Sequence, residues 1–256
     1  MKAQRSEKSE TPKRRARREH DVVDATRYVP PSPAQISTVD LHALIQGLPA
    51  TTSESQAQFS FERDAQVPLW YAGDLGLVQR RAVSIVGTRA VSAEGAARAR
   101  RLARELAHAE MVVVSGLARG VDTEALNAAM AAGGRVIAVI GTPLDKAYPA
   151  ENKRLQEKIY SEHLLISQFA PGQRVFQSNF PERNKLMAAI SAATVIIEAG
   201  ETSGTLHQAA ECVRLNRWLF IAKSVLENPA LHWPTKFRDY PKVRPLTETA
   251  DILRVL

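Results

Sequence analysis

From Arg81 to Ala222 the chain alternates short β-rich runs with alanine-rich stretches of helical length, and this alternation restricts the fold more than any other feature. The runs are Val83–Val86, Met111–Val114, Val136–Ile140, Leu164–Ser167, Val195–Glu198 and Trp218–Ile221. Such runs, separated by helices, are the mark of a parallel sheet covered on both faces. The intervening helices are predicted over Ala93–Ala109, Thr123–Ala132, Glu151–Glu162, Arg183–Ala192 and Thr205–Leu215. Gly133-Gly134 supplies a C-cap for the second, and Asp122 is placed to cap its start. The predicted fold is α/β, a doubly wound and mostly parallel sheet of extended Rossmann-like type.

The flanks read differently. Residues 1–27 are polar, charged and almost without large apolar groups, which predicts a disordered basic tail. Residues 28–80 read as a linker and a short helical extension: Tyr28-Val29-Pro30-Pro31-Ser32-Pro33 is stiff and extended, and Leu41, Leu44 and Ile45 share helical spacing. Residues 81–222 form the Rossmann-like domain, and 223–256 a C-terminal extension packed on it. The formal net charge is +7, but residues 1–20 hold +5 of it, so the folded part is close to neutral. Overall charge is thus no proof of a nucleic-acid partner; a basic tail can add phosphate contacts or simply be solvated. No apolar run approaches the roughly 18 residues needed to span a bilayer, and the basic N-terminus is not followed by the apolar stretch of a secretory signal. The single cysteine, Cys212, excludes an intrachain disulfide and sits among apolar residues as a core position. A cytoplasmic protein without membrane contact is expected.

In a doubly wound sheet, ligands bind beyond the C-terminal ends of the strands, where the strand order switches. The loops after the strands therefore carry the functional reading. The first, around Gly87, Thr88 and Arg89, joins a close-approach glycine to a helix N-terminus and a cation suited to phosphate; Arg89 could also serve as a surface ion-pair partner. The second holds Ser115, Gly116 and Arg119 before Asp122, either as an anion nest or as a packing turn. In the third, Tyr148 can stack on a base or pack on its own loop. The fourth contains Asn179, Arg183, Asn184 and Lys185. If Pro181 ends the extended segment, these cations fall in a first helical turn, where they oppose the macrodipole unless an anion arrives. Phe176 and Phe180 are candidate stacking residues, with core packing as the stronger alternative. The fifth, with Ser203, Gly204 and Thr205 at a helix start, again suits phosphate oxygens, while Glu198 and Glu201 are expected to orient the arginines or face outward.

Several such loops on one sheet edge, bearing Arg89, Arg119, Arg183 and Lys185, form a coherent surface for a polyanion. No G-x-G-x-x-G is present, and the second strand ends in Ser115 rather than an acid that could hold a ribose, which argues against a dinucleotide dehydrogenase. The six histidines lack metal-ligand spacing and no nucleophile–histidine–acid set emerges. Neither a cofactor nor a metal is expected.

In this order, Ile85-Val86-Gly87-Thr88-Arg89, Val114 to Asp122, Gly141-Thr142-Pro143-Leu144-Asp145, Tyr148 to Asn152, Asn179 to Asn184 and Ser203-Gly204-Thr205-Leu206 resemble the DprA/Smf family of DNA-processing proteins. The resemblance spans about Pro68 to Ala222, and Thr249 to Leu253 resembles the segment C-terminal to that family's Rossmann domain. It implies homodimerisation, single-stranded DNA binding and loading of a RecA-type recombinase in natural transformation or recombination; the missing catalytic set, read from the residues, makes a binder and not an enzyme the expectation. The resemblance also implies that Arg89, Arg183, Asn184 and Lys185 lie in the DNA groove. The rival readings are a nucleotide-signal sensor and a phosphoribohydrolase-like enzyme. The latter would need a catalytic glutamate three residues after Thr205, where this chain has Gln208, which cannot act as a general base.

Overall fold

The computed structural model describes residues 28–47 and 67–256. The segment 1–27, read above as a disordered tail, lies outside the described residues, as do residues 48–66. The elements in chain order begin with β1 (Ala34–Ser37), α1 (Thr38–Gln46) and β2 (Pro68–Gly73). The regular repeat then runs through β3 (Ala82–Val86), α2 (Ala93–His108), β4 (Val112–Ser115), α3 (Val121–Ala131), β5 (Val136–Ile140), α4 (Lys153–Glu162) and β6 (Leu164–Ser167). It continues through α5 (Asn179–Ala189), β7 (Ala193–Ile196), α6 (Thr205–Arg214) and β8 (Trp218–Ala222), and closes with α7 (Lys223–Leu226), β9 (Val243–Leu246) and α8 (Ala250–Leu253).

Every residue of β3 to β7 is buried, as expected for strands roofed on both sides. The sheet order is β1-β2-β6-β5-β4-β3-β7-β8-β9, with β3 to β9 parallel where they pair and only β1–β2 and β2–β6 antiparallel. On one face α2, α3 and α4 bury Ala99, Leu102, Leu106, Leu126 and Ile159 against Val83, Ile85, Val113 and Ala138. On the other, α1, α5 and α6 bury Leu41, Leu186, Met187 and Cys212 against Val86, Val114, Ile137 and Val139. Cys212 is the core residue its sequence context predicts, and burial pushes its thiol up to about 12. Alanine faces bring α2 and α3 close together. A Cβ on Gly134 would lie 2.5 Å from that of Ala107, so the turn ending α3 admits only glycine without rearrangement.

The sheet is wider than the six strands legible in the sequence. β1 and β2 add to the β6 edge, and β9 adds beyond β8. Their signals are weak: β1 has four partly exposed residues, and β9 contains Pro245, which a ladder tolerates best at an edge. Three helix starts also shift: α4 begins two residues late, at Lys153, and the other two bear on the site. Helix α5 begins at Asn179, so Pro181 sits inside the first turn, where its missing N–H removes no intrahelical bond. Arg183 and Lys185 consequently fall beyond that first turn, and the conflict with the macrodipole does not arise. Helix α3 begins at Val121 with Gly120 as N-cap, so Asp122 lies within the helix and does not cap it.

Candidate nucleic-acid interface

The strand order reverses between β3 and β7, which places the loop 87–92 beside the loop 197–204. Gly87 permits this approach: a Cβ there would lie 2.5 Å from Val121 Cγ2 and 2.8 Å from the Glu198 carbonyl oxygen. The Thr88 N–H donates to that carbonyl at 2.7 Å. Glu198 turns its carboxylate onto the first loop, accepting from the Ser92 hydroxyl at 2.7 Å and the Ser92 N–H at 3.2 Å. Glu201 accepts from the N–H groups of His232 and Trp233. Neither acid therefore orients the arginines: Glu198 braces the Ser92 turn through its hydroxyl and N–H, while Glu201 is the outward-facing acid of the two and holds the 232–233 backbone.

Between these loops and the start of α5 opens a crevice of about 890 Å³. Gly87, Thr88 and Arg89 form one wall, and Ser203, Gly204 and Thr205 at the N-terminus of α6 form another. The Asn184 amide links the walls to α5 by donating to the Gly204 carbonyl at 3.1 Å. Arg89 is exposed, with its guanidinium 5.5 Å from the centre of the Phe180 ring. The Phe180 ring lies 5.4 Å from that of Tyr148, and Phe176 is 50% exposed alongside. Phe176 is thus not a core residue, whereas Phe180 is half-buried, with one part of its ring packed on Gly141 and the rest facing Arg89 and Tyr148. The early start of α5 places Phe180 in its first turn, facing the crevice.

The floor is built from groups that hold one another. Arg183 is buried, and its guanidinium donates to the carbonyls of Gly116 and, at 2.7 Å, Val139; its Nε donates to Asn184 Oδ1 at 2.9 Å. Gly116 leaves room for the Arg183 guanidinium, which a Cβ there would meet at 2.2 Å and displace from its carbonyl partners. Asp122 Oδ2 accepts from the N–H groups of Gly116 at 3.0 Å and Ala118 at 3.3 Å. Burial raises the Asp122 carboxyl to about 6, against the opposing pull of Arg183 and the loop N–H groups. Burial likewise lowers Arg183 to about 10, with Asp122 opposing and Arg89 adding to the fall, so Arg183 stays charged at neutral pH. Asp122 is the only carboxylate among the described residues lining the crevice.

A family model described as DNA recombination-mediator protein A matches residues 53–236, most of the chain. The chain belongs to that family. Within the DNA recombination-mediator protein A family, the DNA processing protein DprA of Streptococcus pneumoniae is 41% identical over 165 residues, which are 64% of this chain and 58% of that protein. The chain thus spans little more than half the length of this curated relative. The crystal structure of the pneumococcal protein superposes with a TM-score of 0.72 at 31% identity, covering 86% of this chain and 73% of that one. A Helicobacter pylori DNA processing protein A, described for its single-stranded DNA binding mode, gives 0.68 at 25% identity, covering 78% of this chain and 91% of its own.

Of the candidate contacts read from the loops that follow the strands, Gly87, Thr88, Arg89, Arg183, Asn184, Ser203, Gly204 and Thr205 meet in the crevice. The other five do not line it. Ser115 is buried with its hydroxyl donating to the Ile85 carbonyl at 2.7 Å, and Gly116 is sealed by Arg183, so the second loop is a closed turn and not an open anion nest. Arg119 forms a two-point ion pair with Glu151. Lys185 pairs with Glu182 at 2.9 Å along α5. Asn179 is buried, with its Nδ2 lacking a hydrogen-bond partner. Arg183 lines the floor but spends its guanidinium on backbone carbonyls, so it is no free surface cation. Sequence reasoning missed Asp122 as a crevice residue because its acidity and position resembled an ordinary cap. It underrated Phe176 and Phe180, whose spacing of four beside Pro181 was the available signal of an aromatic helix start. No helix among the described residues is long and apolar enough to cross a membrane.

Proposed function

We propose that the protein binds single-stranded DNA in the crevice between β3 and β7 and acts as a recombination mediator without catalytic turnover. The observation that carries this is the exposed Arg89 guanidinium beside Phe180, Tyr148 and Phe176, facing a helix N-terminus of small hydroxyl and glycine residues. A cation and amide N–H groups suit phosphates, and flat aromatic faces suit unpaired bases, which a duplex keeps stacked inside. The site is assigned to residues 81–222, with 28–80 and 223–256 as extensions of that core. Family membership extends the proposal to a cytoplasmic homodimer that loads a RecA-type recombinase in transformation or recombination. The basic segment 1–20 would add sequence-independent phosphate contacts.

Two features support binding over nucleotide hydrolysis. Gln208 is buried and brings no carboxylate to the crevice. Asp122, which does reach it, is committed to two backbone N–H groups. The test is a titration of oligo-dT at rising salt, with AMP assayed in parallel for release of free adenine. Micromolar or tighter binding, lost at high salt, with no adenine released, is expected. No binding to any single strand at low salt would overturn the reading.

A further inference from the structure

A second cavity of about 840 Å³ lies against the crevice and shares Tyr148 and Val175 with it. The remaining walls include Tyr28, Pro30, Ala147 and Ala150. The Tyr28 wall is fixed by a clamp. Its hydroxyl donates to the Leu144 carbonyl at 2.7 Å and accepts from Gln156 Nε2 at 2.7 Å. The next residue is held on both sides, because the Val29 N–H donates to Glu157 at 3.1 Å and the Val29 carbonyl accepts from the Tyr160 hydroxyl at 2.8 Å. Lys146, also on this wall, spends its ammonium on the Gln173 carbonyl at 2.7 Å. The result is a roomy chamber whose exposed lining is mostly apolar and includes two tyrosines, although Asp145 and Lys153 also border it; it opens beside the crevice that carries Arg89 and the helix N-terminus.

A ligand that fits both compartments needs charge along one side and flat apolar groups on the other. We propose that the second cavity receives a nucleobase of the bound strand, turned past Tyr148 and against the Tyr28 ring while its phosphates stay on the Arg89 side. The inference rests on the crevice being the single-strand site. Because every base offers a π face, the chamber adds affinity without reading sequence. Its volume falls within the range of ordinary small-molecule sites and admits purines and pyrimidines alike.

The test compares oligo-dT with an abasic oligomer of equal length, which keeps the phosphates and removes the bases. Two variants, Ala147→Trp to fill the chamber and Tyr28→Ala to remove one wall, are titrated with both in the full chain, with thermal unfolding followed for each. The expected result is a loss of about tenfold on oligo-dT, and no change on the abasic strand. Ala147→Trp is the deciding variant, since it leaves the Tyr28 clamp in place. Unchanged oligo-dT affinity in Ala147→Trp would mean that the chamber is empty or filled by the chain's own residues, and would overturn the proposal. An equal loss on both strands would overturn it too, by assigning the effect to the phosphate path. Failure of the unaltered protein to bind either strand would sink the crevice reading and this one together.

Discussion

Arg183 and Arg89 border the same crevice, and the difference between them separates its floor from its rim. Arg183 is reached by almost no solvent and is locked onto the carbonyls of Gly116 and Val139. Arg89 is exposed, touches the face of Phe180, and has no carboxylate paired with it among the described residues. One guanidinium ties the ends of β4 and β5 to α5. The other remains available to an incoming anion. A cation near a strand end is therefore not in itself a phosphate contact; what its donors already hold decides.

The largest expected effect tests the floor. Arg183→Ala leaves two buried carbonyls without their donor and Asp122 without its neighbouring cation, and is expected to destabilise the fold by about 3–5 kcal/mol. Urea unfolding would read this directly. A variant with unaltered stability and lost DNA affinity would make Arg183 a contact and erase the distinction between floor and rim.

The next effect belongs to Asp122. Its carboxyl holds a proton to about pH 6 in the folded protein, against an ordinary value of 3.8. The folded state therefore binds more protons than the unfolded chain between these values. Asp122 should favour the fold below about pH 4, and that contribution should fade as pH rises to about 6 and stay absent above. Asp122→Asn cannot ionise, so the stability of the parent protein relative to this variant should fall from pH 4 to 6 and level off beyond. A difference that stays constant from pH 4 to 7 would show that the floor does not titrate.

The rim is tested by Arg89→Ala. Single-strand affinity should fall several-fold at low salt, the salt slope should drop by about one unit, and the thermal midpoint should hold. If stability falls instead, Arg89 is part of the frame and the comparison with Arg183 collapses.

These distinctions explain how much the sequence could reveal. The fold was legible because fully buried strands such as Val136–Ile140 have no polar face to confuse the pattern. β9 was not, since Val243-Arg244-Pro245-Leu246 becomes a strand only through its pairing with β8. Within the site, the loops that close the β3–β7 switch were readable from Gly87 and from Ser203 to Thr205, whose roles derive from backbone geometry. The state of each charged side chain was not readable. Glu151, Glu182 and the carbonyls of Gly116 and Val139 are partners set by tertiary contact or by an altered helix start, and one helix beginning four residues early moved Arg183 from a predicted surface turn to the floor.

The smallest expected effect sharpens the comparison most finely, because it concerns cations that are exposed and yet occupied. Lys185 retains 41% of its side-chain exposure but spends its charge on Glu182, and Arg119 does the same with Glu151. Neither lines the crevice. A phosphate approaching Lys185 meets the Glu182 carboxylate as well, so the pair contributes little net positive potential. Lys185→Ala should therefore change oligo-dT affinity and salt slope by clearly less than Arg89→Ala, and stability by under about 1 kcal/mol. Glu182→Gln adds the complementary arm: it frees Lys185, and should raise affinity slightly where Lys185→Ala barely lowers it. If instead Lys185→Ala lowers the salt slope by a full unit, the bound strand must extend along α5 beyond the crevice, and exposure, more than prior pairing, would be the better guide to contact.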